Sequence, residues 1–376
     1  MLNSKRIIFA TGGTGGHVNP ALAVAALVRE RCPDARIIFV GTAEKIESRL
    51  VPAAGFELRT IEMSGFSRKV NIKGIKRNVD TALKVIKANS VLKKLFDEFK
   101  PDAVIGFGGY VSGPVLRMAQ KMGIPTAIHE QNAYPGVANK AVAKKAACVM
   151  LTVEKAGERF KTKAPMVNTG LPIRPDLMKT TKEESRKKLK LDSRPLVLSM
   201  GGSLGAKAVN EAVAELIIKK HKAADTYFIH ATGRNTEEFV EKLKKGGVDL
   251  ESEDHVVVKE YIDDMATYLN AADIVISRAG ASSLSEIQAL GKASILIPSP
   301  NVAENHQFHN ANALVEKGAA LMIEEKELSG EALTKAVDSL INDEDKRKSL
   351  EENAKKMAVY DSADRIYNCI VKMVNK

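Results

Sequence analysis

The amino-acid sequence predicts an α/β protein of two Rossmann-like domains facing a cleft. Three observations carry that expectation. Short β-branched runs alternate with amphipathic stretches along most of the chain, which is the pattern of βαβ units and a parallel sheet. The 376 residues correspond, at roughly 150 per domain, to two or three domains and most simply two. The two halves also open alike: one strand runs into Gly12-Gly-Thr-Gly-Gly-His17 and another into Gly201-Gly-Ser-Leu-Gly-Ala206, each followed by a helix.

In order along the chain, the first half offers strands at Arg6–Ala10, Arg36–Val40, Ala103–Gly106, Thr126–Glu130 and Cys148–Thr152. Helices are expected around Pro20–Arg31, Ile72–Phe99, Pro114–Met122 and Gly136–Lys145. The second half repeats the scheme with strands at Leu196–Met200, Tyr227–Ala231, Val256–Lys259, Ile274–Ser277 and Ser294–Ile297. Its helices fall near Ala206–Ile218, Glu237–Lys245, Ser283–Leu290 and Gln307–Lys317. Between the halves, Thr169-Gly-Leu-Pro172-Ile-Arg-Pro175 has the Pro/Gly content of a connector. Three helices without a strand come after Ser329. The expected domains are therefore 1–168, 169–355, and a terminal helix at 356–376 packing back on the first.

Composition narrows the function. A net charge of +11 favours an anionic partner: nucleic acid, a phosphorylated substrate or an acidic membrane surface. With 5% aromatics and no Trp, base stacking is a poor explanation, so no nucleic-acid partner is expected. Cys32, Cys148 and Cys369 are odd in number and widely spaced, and read as reduced cytosolic thiols rather than disulfides or a zinc site. Lys5-Arg6 precedes 22 uncharged residues, Ile7 to Val28, but glycines, His17, Asn19 and Pro20 interrupt any signal-peptide core. No stretch approaches the 18 apolar residues of a membrane span.

Gly-rich turns between a strand and a helix bring backbone N–H groups and a helix N-terminus towards an anion, although a tight structural turn uses the same residues. Neither turn is a Walker A loop, since no Gly-Lys-Ser/Thr follows. Val18 occupies the place of the last glycine of a dinucleotide fingerprint, and after Val40-Gly41 only Glu44 is on hand as a ribose-binding acid. His17 stands just past the first turn and is a candidate general base or a capping residue. In Ser277-Arg-Ala-Gly-Ala-Ser-Ser-Leu-Ser-Glu286 a strand ends, a turn supplies amides, and Glu286 is placed to accept both hydroxyls of a ribose. A Ser-rich cap with a solvated Glu is the plainer alternative. Gly106-Phe-Gly-Gly-Tyr110-Val-Ser-Gly-Pro114 and His129-Glu-Gln-Asn132 each follow a strand end, where parallel sheets bind ligands. Asp343-Glu-Asp345 reads as a helix cap rather than a metal site, and neither a metal nor another cofactor is expected.

Arg68 to Leu95 holds nine basic residues against Asp80, a local charge of +8. Ile72, Ile75, Val79, Leu83 and Ile86 recur at helical spacing beside it, so the segment reads as a membrane-surface helix or as an ordinary inward-packing one.

Six motifs, the four above together with Gly201–Ala206 and Glu260-Tyr-Ile-Asp-Asp-Met265, occur in the order found in the MurG family, which the chain resembles over nearly its whole length. The resemblance implies the GT-B fold and inverting, metal-independent transfer of N-acetylglucosamine from its UDP ester to the muramyl C4 hydroxyl of lipid I. The product is lipid II for the cell wall. It implies donor contacts from Thr14, Gly15, Gly16, Asn132, Arg174, Ser203, Ile262, Ala281, Ser282, Ser283, Leu284, Ser285, Glu286 and Gln307. His17, Tyr110, His129 and Glu130 would line the acceptor side, with His17 and Glu130 as the catalytic candidates. It further implies a peripheral place on the cytoplasmic face of the cell membrane, with anionic lipids held by Arg68–Leu95, and other cell-wall synthesis proteins as partners. A UDP-N-acetylglucosamine 2-epimerase or a glycolipid glycosyltransferase of the same fold is the alternative. The loop Pro300–Asn305 departs from the more polar form associated with some members of the family.

Overall fold

The computed structural model describes residues 1–63, 72–202 and 204–375; within 72–99 it describes the side chains at 81, 84 and 87–99. The chain divides into two compact units, Met1–Pro172 with Asp361–Lys376, and Ile173–Tyr360. The breaks lie at 172/173 and 360/361, a few residues beyond the 168/169 and 355/356 read from the sequence. The start of the connector stays with unit 1 because Thr169 and Gly170 both donate their N–H to Leu151 O, at 2.9 and 3.2 Å.

Unit 1 contains β1 (Arg6–Ala10), β2 (Arg36–Gly41), β3 (Glu57–Thr60), β4 (Ala103–Gly106), β5 (Thr126–Glu130), β6 (Cys148–Leu151) and β7 (Met166–Asn168). They form one parallel sheet in the order β3-β2-β1-β4-β5-β6-β7. Its helices are α1 (Gly15–Arg31), α2 (Glu47–Ala53), α3 (Ile72–Phe99), α4 (Gly109–Lys121) and α5 (Val137–Val142). Along β1, Ile8 and Ala10 face one core layer with Leu92, Phe96 and Leu116, and Ile7 and Phe9 face the other. Burial on both faces explains why these strands read as continuous apolar runs.

Unit 2 contains α6 (Lys182–Lys188), β8 (Leu196–Met200), α7 (Lys207–Lys220), β9 (Tyr227–Ala231), α8 (Thr236–Lys245), β10 (Val256–Lys259), α9 (Met265–Ala271), β11 (Ile274–Ser277), α10 (Ala281–Leu290), β12 (Ala293–Leu296), α11 (His306–Val315), β13 (Leu321–Met322), α12 (Gly330–Ile341) and α13 (Glu344–Lys356). Its parallel sheet runs β10-β9-β8-β11-β12-β13. The final helix, α14 (Ser362–Val374), returns to unit 1, where Ile366, Tyr367, Ile370 and Met373 share a core layer with α1. Asp343 caps α13 by accepting the Lys346 N–H at 2.9 Å, which accounts for the Asp-Glu-Asp run.

Several helices begin earlier than the sequence suggests, among them α4, which starts at Gly109 rather than Pro114. α1 starts at Gly15, so His17 lies in its first turn; α10 starts at Ala281, so the expected turn 281–284 is itself helix. In α10 the extended Gly280 supplies the N-cap backbone geometry.

Candidate active site

In unit 1 the site stands at the carboxyl ends of β1, β4 and β5, around the point where the strand order reverses. The first turn packs against the start of α4: a Cβ on Gly109 (φ +76°) would lie 2.3 Å from Gly12 O, and one on Gly108 (φ +89°) 2.8 Å from His17 Nδ1. These two glycines let the backbone of α4 support the turn and the imidazole. The amides of Gly15 and Gly16 precede the first i→i−4 bond of α1, from Val18 N to Thr14 O at 3.2 Å, and so belong to the orphan donors of a helix start. Thr14 is exposed, and Tyr110 is half-buried, 3.7 Å from where a Gly13 Cβ would stand.

A carboxylate with no counterpart among the sequence candidates holds this turn. Glu47, fully buried in α2, accepts the Gly13 N–H (3.0 Å), the Thr42 N–H (3.0 Å) and the Thr42 hydroxyl (2.6 Å). Gly12 and Gly41 leave room for it, since a Cβ on either would come within 2.6 or 2.7 Å of its side chain. Glu44, the acid that the dinucleotide pattern would have required, is exposed.

His17 is partly exposed and its Nδ1 lies 3.0 Å from Gln131 Oε1. The Gln131 amide nitrogen donates to Phe107 O at 2.9 Å and also meets His129 Nδ1 at 3.0 Å. His129 is buried, stacked on Phe107, and its Nε2 lies 3.0 Å from Gly170 O. Burial lowers the proton affinity of His17, against the opposing Gln131 bond, Phe107 carbonyl and Glu47 charge. Burial also lowers His129 to about 4. Burial thus favours the neutral form of both rings. Glu130 is buried as well, and burial raises its pKa against four donors. These are Asn132 N (3.1 Å), Asn132 Nδ2 (3.4 Å), Gly136 N (3.0 Å) and Asn139 Nδ2 (2.8 Å). Both of its oxygens are engaged, so the geometry makes Glu130 a brace for the loop that presents Asn132.

In unit 2 most of the described expected donor residues follow the carboxyl ends of β10, β11 and β12. α10 turns its N-terminus outward with Ala281, Ser282 and Ser283 partly exposed, while Leu284, Ser285 and Glu286 are buried. The Leu284 N–H already closes on Gly280 O, so the amides ahead of it are the free ones. Arg174 grips Glu286 in a bidentate pair, Nε to Oε1 at 2.8 Å and Nη2 to Oε2 at 2.7 Å. A carboxylate has about four lone-pair sites, so Glu286 retains capacity for two hydroxyls beside the arginine. Ile262 buries its side chain in the core, leaving main chain as what this position offers a ligand. Gln307, in the first turn of α11, accepts the Ser299 N–H at 2.9 Å and keeps its amide N–H groups as donors. Glu304 and Asn305 hold left-handed backbone (φ 55° and 50°) in the loop before it. Ser203 lies outside the described residues.

The glycosyltransferase family 28 N-terminal domain matches residues 7–151, and the family 28 C-terminal domain matches 196–366. A UDP-N-acetylglucosamine–N-acetylmuramyl-(pentapeptide) pyrophosphoryl-undecaprenol N-acetylglucosamine transferase from Thermoanaerobacter sp. (strain X514) is 44% identical, over 97% of this chain and 99% of that protein. This chain is a member of glycosyltransferase family 28. The protein of the same name from Clostridioides difficile (strain 630) is 42% identical over 98% of this chain and 89% of its own length. Among solved structures, Acinetobacter baumannii MurG superimposes with a TM-score of 0.77 at 28% identity, covering 98% of this chain and 100% of that one. S. aureus MnaA with UDP superimposes at 0.70 with 17% identity, covering 99% and 97%, a likeness of fold alone.

The family 28 chain is thus an α/β glycosyltransferase of the GT-B class. Its structure collects Thr14, Gly15, Gly16, His17, Tyr110, His129, Glu130 and Asn132 in unit 1, and Arg174, Ile262, Ala281–Glu286 and Gln307 in unit 2. Sequence reasoning misses Glu47, because the short helix carrying it has too few turns to show a period. It also gives Gln131 no role of its own within the His129–Asn132 motif; a position beside two titratable residues is the available signal.

Proposed function

We infer that this chain transfers N-acetylglucosamine from UDP-N-acetylglucosamine to the muramyl pentapeptide carried on undecaprenyl diphosphate, lipid I, forming lipid II. One observation carries the reading: α10 opens with free amides at a strand end and places Glu286 in the next turn. The helix start meets the diphosphate through amides and dipole, while Glu286 takes the ribose hydroxyls. Main chain at Ile262 reads the uracil, Gln307 the sugar, and Arg174 holds Glu286 in place.

The C4 hydroxyl oxygen of the acceptor attacks the anomeric carbon as the bond to UDP breaks, giving inversion in one displacement. The hydroxyl proton passes to His17 Nε2, and UDP leaves with the bonding electron pair, its charge met by the amides of Ala281–Ser283. Glu130 fixes the loop of Asn132, and Tyr110 and His129 shape the acceptor side.

The acceptor's lipid puts the enzyme at the inner leaflet as a peripheral protein, docked through Arg68–Leu95 on anionic headgroups. The described residues contain no helix long and apolar enough to cross a membrane. The segment's apolar stripe, Ile72, Ile75, Val79, Leu83 and Ile86, lies wholly outside the described side chains. Within the described part, Lys93 and Lys94 are exposed, and Lys87 pairs with Glu62 at 3.0 Å. Release of UDP that requires lipid I tests the transfer; release without acceptor would support the epimerase alternative. Hydrogen bonds to a charged group contribute roughly 1.5–3 kcal/mol each. Glu286→Ala is therefore expected to lower kcat/KM for the donor at least tenfold.

A further inference from the structure

We propose that Gln131 is the positioning residue that sets the tautomer of His17, holding the Nδ1–H form so that Nε2 faces the acceptor as an unprotonated base. The inference rests on the reading of His17 as the base. It is drawn from a chain of hydrogen bonds with a single consistent direction. The Gln131 amide nitrogen lies against two carbonyl oxygens, Phe107 O at 2.9 Å and His129 O at 3.2 Å, so this end must be the NH2 and the other end the acceptor. The acceptor end, Oε1, lies 3.0 Å from His17 Nδ1, which must therefore carry a proton. On the other side, His129 Nε2 meets Gly170 O at 3.0 Å and must donate, which leaves its Nδ1 to accept from Gln131 at 3.0 Å. The two histidines are thereby held in opposite tautomers by one amide. The carbonyl of Gly170 fixes His129, His129 and Phe107 orient Gln131, and Gln131 fixes His17.

The glutamine suits the task better than the acid found in comparable triads. A carboxylate beside Nδ1 would raise the proton affinity of the ring, whereas a neutral amide sets the tautomer and leaves the ring unprotonated. The other titratable groups acting on this ring are Glu47, whose charge pulls its proton affinity up, and His129. With Glu47 already present, a second carboxylate would hold His17 in its protonated form to higher pH.

Three variants and a spectrum test this. Gln131→Met keeps the length and removes both polar ends; kcat should fall at least about tenfold, within the ~10⁴-fold known for a wrong tautomer in a serine-protease triad, with donor KM unchanged. Gln131→Glu should move the acid limb of the kcat profile to higher pH, because the form that accepts the proton is the neutral ring. In imidazole 15N spectra of the wild-type protein at pH 7.5, His17 should be protonated at Nδ1 and His129 at Nε2, and the His17 signature should be lost or mixed in Gln131→Met. A His17 protonated at Nε2 in the wild type, or an acid limb and kcat unmoved in both Gln131 variants, overturns the proposal. His17→Asn separates the two levels. If it retains near-wild-type kcat, the base reading fails. If it abolishes turnover while the Gln131 variants behave as wild type, only the relay fails.

Discussion

The two glycine-rich turns align position for position, yet they are braced by opposite chemistry. Gly12-Gly-Thr-Gly-Gly-His17 is held from behind by a buried carboxylate, Glu47, which takes the Gly13 amide. Gly201-Gly-Ser-Leu-Gly-Ala206 is held by backbone and a neutral network. A Cβ on Gly205 would stand 2.1 Å from Thr232 O, which also accepts from Asn210 Nδ2 at 2.9 Å. Asn210 Oδ1 in turn takes His230 Nε2–H at 3.1 Å, and His230 Nδ1 meets the Ser199 hydroxyl at 2.8 Å. Where the first turn ends in an imidazole, the second ends in a methyl group. A Gly-rich turn marks a tight approach of backbone; its use is decided by the amides left free and by the side chain at its end. In unit 2 the proposed diphosphate site is the start of α10, where the N-cap is Gly280.

The largest expected effect converts the first turn into the second. His17→Ala gives both turns the same final residue and removes the proposed base, for which a loss of about 10²–10⁴ in kcat is expected. Affinity for UDP, assigned above to the unit 2 residues as a proposal, should stay near wild type by calorimetry. Activity within threefold of wild type would erase the functional difference between the turns.

Next comes the brace. Glu47→Ala strands the part-buried Gly13 donor and the buried Thr42 donors, each costing up to roughly 1–3 kcal/mol. Denaturant unfolding should show a loss of about 3 kcal/mol, and kcat should fall with little change in donor KM. Glu47→Gln, which keeps one acceptor oxygen, should recover part of both. An equal donor KM penalty in Glu47→Ala would mean that the first turn serves the donor as much as His17 does.

These two residues also show where the sequence is legible. Strands such as Arg6–Ala10, Thr126–Glu130, Tyr227–Ala231 and Ile274–Ser277 lie where apolar runs between turn signals place them. They can be read because both faces of each sheet are buried. Helix starts are harder: Gly15 and Gly16 are poor helix formers, so the sequence places the start of α1 at Pro20. β3 (Glu57–Thr60) is an edge strand with mostly exposed side chains and carries no apolar run. The site's charged brace and its amide relay are contacts across 34 and 114 residues, which no local pattern encodes.

The neutral brace should reveal itself through pH. Burial pushes His230 down to about 3 from an ordinary value of 6.5. Between those values the unfolded chain binds a proton that the folded one does not, so stability falls as pH drops from about 6.5 towards 3. At pH 5 the difference approaches 2 kcal/mol, from about 1.4 kcal/mol per pH unit. His230→Gln retains a donor for Asn210 and should lose less stability than wild type between pH 7.5 and 5 in urea unfolding. An identical loss in both proteins would remove His230 from the acid response of unit 2.

The smallest effect is a matched pair. Gly13 and Gly202 occupy the same place in their turns, with φ of +93° and +92°. Alanine at such angles is strained by about 1–2 kcal/mol, and neither position adds a close contact. A Cβ at 202 meets nothing within 4 Å, and one at 13 meets only Tyr110 Cε1 at 3.7 Å. Gly13→Ala and Gly202→Ala should therefore cost similar stability by denaturant unfolding. Function should separate them. Strain beside His17 and Tyr110 loosens the acceptor side, so Gly13→Ala should lower kcat severalfold with donor KM unchanged. Gly202→Ala leaves His17 and its relay untouched, so its kcat should stay near wild type. Equal kcat losses in the two variants would show that both turns report on the same step, and the proposed acid–base role could no longer be assigned to the first turn alone.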